Sequence, residues 1–511
     1  MNPINFEAQN YLGTKIQTAK TWGAKPLNLK VDVVIVGAGP GGLTTAAVLG
    51  EAGLSVVVVE AGHFWPKGSF NRRQSWALKN LYQDRGTRIM HGNAFVPLAS
   101  GAGVGGGTLV NSGISFRTPD RILDAWEAQG LEHWRDRDTL YTEVEQMIGV
   151  QPTRAAVAGK NSEIARRGFS KMPGVKHDYM PRNTPGCVGC GTCQTGCPSN
   201  GKASSDVNWL PRALKTDVRI FADARVDEIQ VQNKRAVGVS GQIVHPETGE
   251  NSAFEIKADK VILAAGAVNT PLLLLRQGLA NSSDQVGRNL FVHPGCGALG
   301  VFKEEINIFS GASQGYYAEH PTDPDVLGET FSAPPEAFFS QVGRAGPESA
   351  NFLAQMRHMA SCGFLIRDES GGRVSLDGSG GLKLTYNFKD KDLRKFVRGA
   401  KFVTEMFFLA GSREVRPLLR GGKFFSSWNE ARQWISGASI GDFMLYASHP
   451  MGTCRMGADP KRSVVRPDGR THDIEGLYIT DSSLHPSALG VNPQMTIMAH
   501  SLALGRKIAS S

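Results

Sequence analysis

Two groups of residues point to chemistry by type and spacing. Four cysteines fall within eleven residues as Cys187-x2-Cys190-x2-Cys193-x3-Cys197, followed by Pro198. This is the spacing of a bacterial ferredoxin loop, whose thiolates hold an iron–sulfur cluster. Far upstream, Gly37-Ala-Gly39-Pro-Gly-Gly42 is a G-x-G-x-x-G stretch, the fingerprint of a dinucleotide site. If a cofactor at the fingerprint collects electrons from a substrate, the cysteine loop offers them an exit. Near the C-terminus, Ser448-His449-Pro-Met-Gly452-Thr453 carries an isolated histidine. A neutral imidazole near pH 7 suits a general base, although a lone histidine is more often a satisfied structural group.

The fingerprint needs a strand, a tight turn and a helix around it. Val31–Val36 is a β-branched apolar run that reads as a buried parallel strand. Leu43–Ala52 reads as a helix, and Ser55–Val59 as a second strand ending in Glu60. Gly37 permits the turn, Gly39 lets a pyrophosphate approach the backbone, and Gly42 lets helix and strand pack closely. The helix N-terminus offers free N–H groups to phosphates. Glu60 is placed to accept hydrogen bonds from ribose hydroxyls. The motif leaves FAD and NAD open. A second glycine-rich stretch, Gly101-Ala-Gly-Val-Gly-Gly106-Gly-Thr-Leu-Val-Asn111, is costly in backbone entropy unless a ligand must come close, so cofactor contact is expected there.

The chain of 511 residues is long enough for two or more packed domains. Its net charge of +9 is scattered with no run of five basic residues, so no nucleic-acid partner is expected. No stretch of 18 apolar residues predicts a transmembrane helix. Met1–Lys30 is polar and lacks the apolar core of a signal peptide, which predicts a cytoplasmic protein. Cys296, Cys362 and Cys454 are isolated, unlike a disulfide framework. Val218–Ile256 reads as several short strands, Lys260–Gly266 as another buried strand, and Asn269–Arg276 as a helix with Pro271 in its first turn. Leu382–Phe388 alternates like a half-buried strand, and Ile497–Ile508 reads as a terminal helix. Phe331, Phe338, Phe339, Phe407 and Phe408 are expected in a core rather than a ligand box.

Together, the fingerprint, Gly105–Asn111, Gly266-Ala-Val-Asn-Thr-Pro271, Val286-Gly-Arg-Asn-Leu-Phe-Val-His-Pro294, His449-x-x-Gly452-Thr453, Asp481 and Asn492-Pro493 resemble the glucose–methanol–choline family of FAD oxidoreductases. The resemblance implies an α/β (α+β overall) fold in which a Rossmann-like FAD-binding domain is interleaved with a substrate domain built on an antiparallel sheet backed by helices. The corresponding segments are 31–120, 205–296 and 446–511 for FAD, 121–204 for a cap or linker bearing the cysteine loop at 187–198, and 297–445 for substrate. It further implies an alcohol substrate, with His449 as the active-site base and Asn492 as the residue that positions the substrate oxygen. Gly106, Asn111 and Pro493 are expected at the cofactor, Val226 at its adenine and Asp481 near its pyrophosphate. Val110 stands where some members attach FAD through a histidine, so noncovalent FAD is expected. Some members resembling sugar dehydrogenases carry a [3Fe–4S] cluster in the cysteine region, with different spacing. Three readings of Cys187, Cys190, Cys193 and Cys197 stay open: a [3Fe–4S] or [4Fe–4S] cluster, free thiols or a disulfide, and zinc. The leading expectation is an alcohol dehydrogenase whose cluster passes electrons to an acceptor protein or quinone. The alternative is an oxygen-using alcohol oxidase with a structural loop, and a flavoprotein lyase is less favoured.

Overall fold

A computed structural model describes residues 8–23, 25–66, 68–339 and 346–511. Met1–Glu7 and the side chain of Phe339 lie outside the described residues. The architecture is mixed α/β and is organised on two large sheets.

The first sheet grows from Leu27–Val36, whose last four residues are all buried. It pairs in parallel with Val56–Val59 on one side and with Asn251–Leu263 on the other. Val33 therefore lies opposite both Val56 and Lys260. Val218–Phe221 and Ile16–Gln17 extend one edge in parallel. Arg235–Val244 and Ala224–Gln232 extend the other edge in antiparallel fashion, while Leu477–Ile479 adds to the C-terminal end of Asn251–Leu263. Helices Pro40–Glu51 and Gln494–Ala509 pack against each other over this sheet. Val, Ile and Leu fill both faces of its central strands, as expected where helices cover a parallel sheet.

The second sheet is wholly antiparallel, in the order Glu414–Pro417, Gly295–Val301, Met359–Ile366, Val326–Thr330, Tyr316–Glu319 and Lys176–Tyr179. The 20-residue helix Asp390–Leu409 backs it and buries Phe396, Phe402, Val403, Met406 and Phe407. A smaller sheet includes Leu382–Tyr386, the half-buried strand read from alternation.

Two elements differ from the sequence-based expectation. Phe254, Ile256 and Lys260–Leu263 belong to one strand of 13 residues rather than two. Its polar middle stays extended because the strand leaves its antiparallel partner there and continues on a parallel one. The helix expected from Asn269 begins at Gly266, so Pro271 sits inside it. A proline cannot donate to the carbonyl four residues earlier. That carbonyl, on Ala267, accepts instead from the Thr453 hydroxyl at 2.7 Å.

Candidate active site

The ends of these strands bring the two glycine segments face to face. Gly37 has φ +108°, and a Cβ there would run into the Ala264 carbonyl. A Cβ at Gly42 would meet the Gly37 carbonyl. Gly39, the N-cap of Pro40–Glu51, has ordinary extended angles, and its nearest obstacle would be the Gly106 Cα at 3.9 Å. Gly106 adopts φ +54°, and a Cβ on it would close to 2.7 Å of Gly39. The open side of Gly39 thus meets a free helix N-terminus, which suits an anionic diphosphate.

Glu60 ties the segments together. Its carboxylate accepts from the N–H groups of Ala38 at 2.8 Å, Gly62 at 2.9 Å and Gly103 at 3.3 Å. Burial pushes its pKa up, against those backbone donors. A carboxylate oxygen can accept two hydrogen bonds; Oε2 accepts one, from Ala38 N, and Glu60 borders the cavity. Asp481 is likewise engaged, accepting from Gly266 N at 2.8 Å, Thr270 Oγ1 at 2.6 Å and Ser483 N at 2.7 Å. Its backbone abuts Gly41 of the fingerprint. Val226 sits beside a bulge in Ala224–Gln232 and lines the same cavity.

That cavity measures about 1600 Å³, more than a drug-sized ligand alone requires. Gly37, Gly39, Glu60, Gly106, Asn111, Val226, Asp481, Asn492, Pro493 and His449 all border it; Gly42 lies behind, in the helix–strand contact. The glycine cradle, the free N-terminus and the volume fit FAD. Its adenine end would lie near Val226 and Glu60, and its phosphates at Gly39.

His449 and Asn492 are 43 residues apart in sequence, yet His449 Nε2 and Asn492 Nδ2 lie 3.4 Å apart. His449 Nδ1 and Asn492 Oδ1 are enclosed without a partner among the described residues. Burial pushes the imidazole down to about 4, so it is neutral at pH 7. Residues without an assigned role from sequence complete the surroundings. Glu329, inside the fully buried strand Val326–Thr330, lines the cavity and accepts from Gln314 at 2.7 Å. Burial raises its carboxyl to about 8, against hydrogen bonds from Gln314 and Asn492. An acid in a buried strand is the signal that would have found it, once the strand is known. Gln494 accepts from Asn111 at 2.8 Å and donates to Ile114 O at 2.7 Å, linking the second glycine segment to the C-terminal helix. Phe338 lies in a small core cluster with Phe331 packed against it, as expected, and both also border the cavity together with Leu299, Leu418 and Met444.

The cysteine loop lies behind the second glycine segment. Arg182, fully buried, donates from Nε to Ser112 O at 2.7 Å and from Nη2 to Cys193 Sγ at 3.2 Å. Lys202, also buried, donates to Leu109 O at 3.0 Å and Asn111 O at 2.7 Å. Burial raises the Cys193 thiol, but the Arg182 and Lys202 charges outweigh it and bring the pKa below the usual thiol value. Cys190 Sγ faces Thr192 Oγ1 at 3.2 Å, and Cys197 Sγ accepts from Lys202 N at 3.4 Å. The four sulfurs border a void of about 10 Å³, the room of a single water. Among the described residues no three His, Cys, Asp or Glu side chains are grouped to hold a metal. This arrangement does not fit a cluster. Of the expected ligand set Cys187, Cys190, Cys193 and Cys197, Cys187 and Cys193 share the Arg182 guanidinium, at 4.0 and 3.2 Å, and the loop packs against the cations that hold residues 109–112.

Three further histidines are buried behind the site. His485 and His500 stack with an interplanar angle of 3°, and His133 and His500 lie 4.7 Å apart. Burial pushes His133 and His485 down to about 3 and His500 well below its ordinary value. Between these values and about 6.5, the unfolded chain binds more protons than the native one. Their contribution to stability is therefore intact above pH 6.5 and lost as pH falls. Glu329 and Asp368, raised by burial to about 8 and about 6, act in the opposite direction. A comparison of variants isolates the histidine effect. His500→Phe is expected to flatten the pH dependence of unfolding free energy between pH 6 and 5 by about 1.2 kcal/mol. Parallel urea-unfolding curves for wild type and variant across that window would disprove it.

Fold and site together define an FAD-binding oxidoreductase, and the chain belongs to the GMC oxidoreductase family. Residues 78–295 and 368–501 match that family, and residues 30–64 match an FAD binding domain. An uncharacterized GMC-type oxidoreductase of Mycobacterium tuberculosis is 32% identical, over 94% of this chain and 76% of its own length. The long-chain-alcohol oxidase FAO4B of Arabidopsis thaliana is 29% identical over 97% of this chain and 69% of its own. A cholesterol oxidase of Acinetobacter baumannii is 23% identical over 92% and 93% of the two chains. Among solved structures, a pyridoxine 4-oxidase from Mesorbium loti superposes with a TM-score of 0.72 at 20% identity, over 94% of this chain and 99% of that one.

Proposed function

We propose that this protein oxidises the C–OH group of an apolar alcohol to an aldehyde or ketone. The observation that carries the reading is the His449–Asn492 pair, set in a cavity that both glycine segments and an apolar wall share. Bound FAD supplies the acceptor for the hydride that leaves the carbinol carbon. His449 Nε2 takes the hydroxyl proton, and its neutral state at pH 7 makes it available as a base. Asn492 holds the substrate oxygen as its negative charge develops. Proton and hydride together account for the two hydrogens lost by the alcohol. Leu299, Phe331, Phe338 and Leu418 favour an alkyl or ring-bearing substrate. The alcohol and cholesterol oxidases among the relatives support that class.

For the final acceptor we favour oxygen over an iron–sulfur relay, because the four thiols are engaged by Arg182, Thr192 and the Lys202 amide around a water-sized void. Reduction of the flavin by a panel of fatty and ring-bearing alcohols, monitored anaerobically as bleaching of its visible band, tests the alcohol reading. No bleaching with any of them would reject it and leave the lyase reading standing. Under air, about one peroxide per alcohol oxidised is expected. Turnover that needs a dye acceptor, in protein containing stoichiometric iron and acid-labile sulfide, would restore the dehydrogenase with a cluster.

A further inference from the structure

His293 stands against His449, with ring centroids 5.5 Å apart and an interplanar angle of 72°. It is 2% exposed and lines the cavity. Its backbone is left-handed, φ +45°, a region few residues other than glycine enter. Such a conformation persists only where the surroundings over-determine it, and these outliers gather at functional sites. Here the buried carboxylate of Asp368 accepts from the N–H groups of Val292 and His293 at 3.0 Å each. The Tyr386 hydroxyl holds that carboxylate in turn at 2.5 Å.

The side chain is fixed as firmly as the backbone. Nε2 accepts from the N–H groups of Leu489 and Gly490, both at 2.9 Å. A nitrogen that accepts from two amides carries no proton, so in the neutral ring the proton is on Nδ1. Nδ1 is buried and has no partner among the described residues. Burial, together with His449, Arg367 and His485 nearby, keeps this ring neutral well below ordinary histidine values. A ring with an occupied lone pair and a fixed N–H cannot accept a proton. It can only present a donor edge and a rigid face.

We propose that His293 is a positioning residue for His449: a neutral imidazole, locked as the Nδ1–H tautomer by the Leu489 and Gly490 amides, that fixes the base in place without competing for its proton. The proposal rests on the alcohol-oxidation reading. It implies that the proton taken by His449 leaves through the cavity and not through His293.

Two variants and one spectrum test it on the FAD-loaded enzyme. In His293→Phe the ring shape stays while the amide acceptor is lost; His293→Gln restores a side-chain acceptor. With FAD content retained, His293→Phe is expected to slow anaerobic flavin reduction at least tenfold, leave the alcohol concentration for half-saturation unchanged, and be partly rescued in His293→Gln. Should His293→Phe fail to fold, His293→Gln is expected to show a smaller slowing of the same kind. In the wild-type protein, imidazole ¹⁵N–¹H correlation spectra are expected to show a non-titrating Nδ1–H ring assigned to His293 by its loss in the variant. An Nε2–H ring, titration between pH 5 and 8, or unimpaired reduction in the folded variants would overturn the proposal. The spectrum needs no substrate. A protein that no alcohol reduces would therefore remove the alcohol reading while the tautomer was still decided.

Discussion

His449→Ala is expected to slow flavin reduction by alcohol 10²- to 10⁴-fold, about the contribution of a positioned general base, with FAD still bound. Among the described residues the His449 side chain contacts Asn492 Nδ2 and holds no backbone group. The pH profile carries a sharper signature. Burial sets the imidazole at about 4, and only its neutral form accepts a proton. The wild-type rate is therefore expected to stay level from pH 7.5 to 5 and to fall as pH drops through about 4. At the other end, the Glu329 carboxyl loses its proton near pH 8. A new negative charge beside Asn492 opposes the negative charge that develops on the substrate oxygen, so the rate is expected to fall above pH 8. Glu329→Gln should remove that upper limb and leave the lower one. Stopped-flow reduction at saturating alcohol across pH 4 to 10 measures both limbs. A lower limb near pH 6.5 would mean that His449 is solvated and ordinary, and an unchanged upper limb in Glu329→Gln would clear Glu329 of the role.

The contrast between legible and hidden parts of this site has a physical basis. The fingerprint and its flanking strands were readable because their constraints are local: a turn, a close approach and a helix start within a few residues. His449 and Asn492 became meaningful only through the order of motifs along the whole chain, since their meeting at 3.4 Å depends on tertiary structure. Glu329 and Gln314 gave no signal of their own. Glu329 takes its character from a buried strand paired with Tyr317 and Gly363 on its two sides, and Gln314 from its hydrogen bond to that carboxylate. His293 lay in a motif already noticed, but its locked tautomer depends on two amides 196 and 197 residues downstream. The cysteine spacing was real, yet spacing does not say where sulfurs point. Arg182 and Lys202, buried among them, tie the loop to residues 109–112, contacts that the cysteine spacing does not reveal. The long strand Asn251–Leu263 was split in the reading because its change of partner, from antiparallel to parallel, leaves no mark in composition.

Gly39 and Gly42, three residues apart in one motif, are expected to fail in opposite ways when a side chain is added. At Gly39 the backbone is extended, with φ −79° and ψ −173°, angles open to any residue. Nothing but the Gly106 Cα at 3.9 Å stands near its missing Cβ. Gly39→Val should therefore fold with a near-normal urea midpoint as apoprotein. Its methyl groups would occupy the space before the helix N-terminus where the diphosphate belongs, and FAD affinity should fall at least a hundredfold, or about 2.7 kcal/mol. At Gly42 the missing Cβ points into the Gly37 carbonyl, which is part of the backbone and cannot swing aside. Gly42→Ala should cost about 1–3 kcal/mol of stability by overpacking, visible in the apoprotein before any cofactor is added. FAD titration by fluorescence, with urea unfolding of each apoprotein, separates the two. A Gly39→Val protein that binds FAD normally would place the diphosphate elsewhere in the cavity. A Gly42→Ala protein as stable as wild type would show that helix and strand have slack at their closest approach, and the division of labour between the two glycines would be lost.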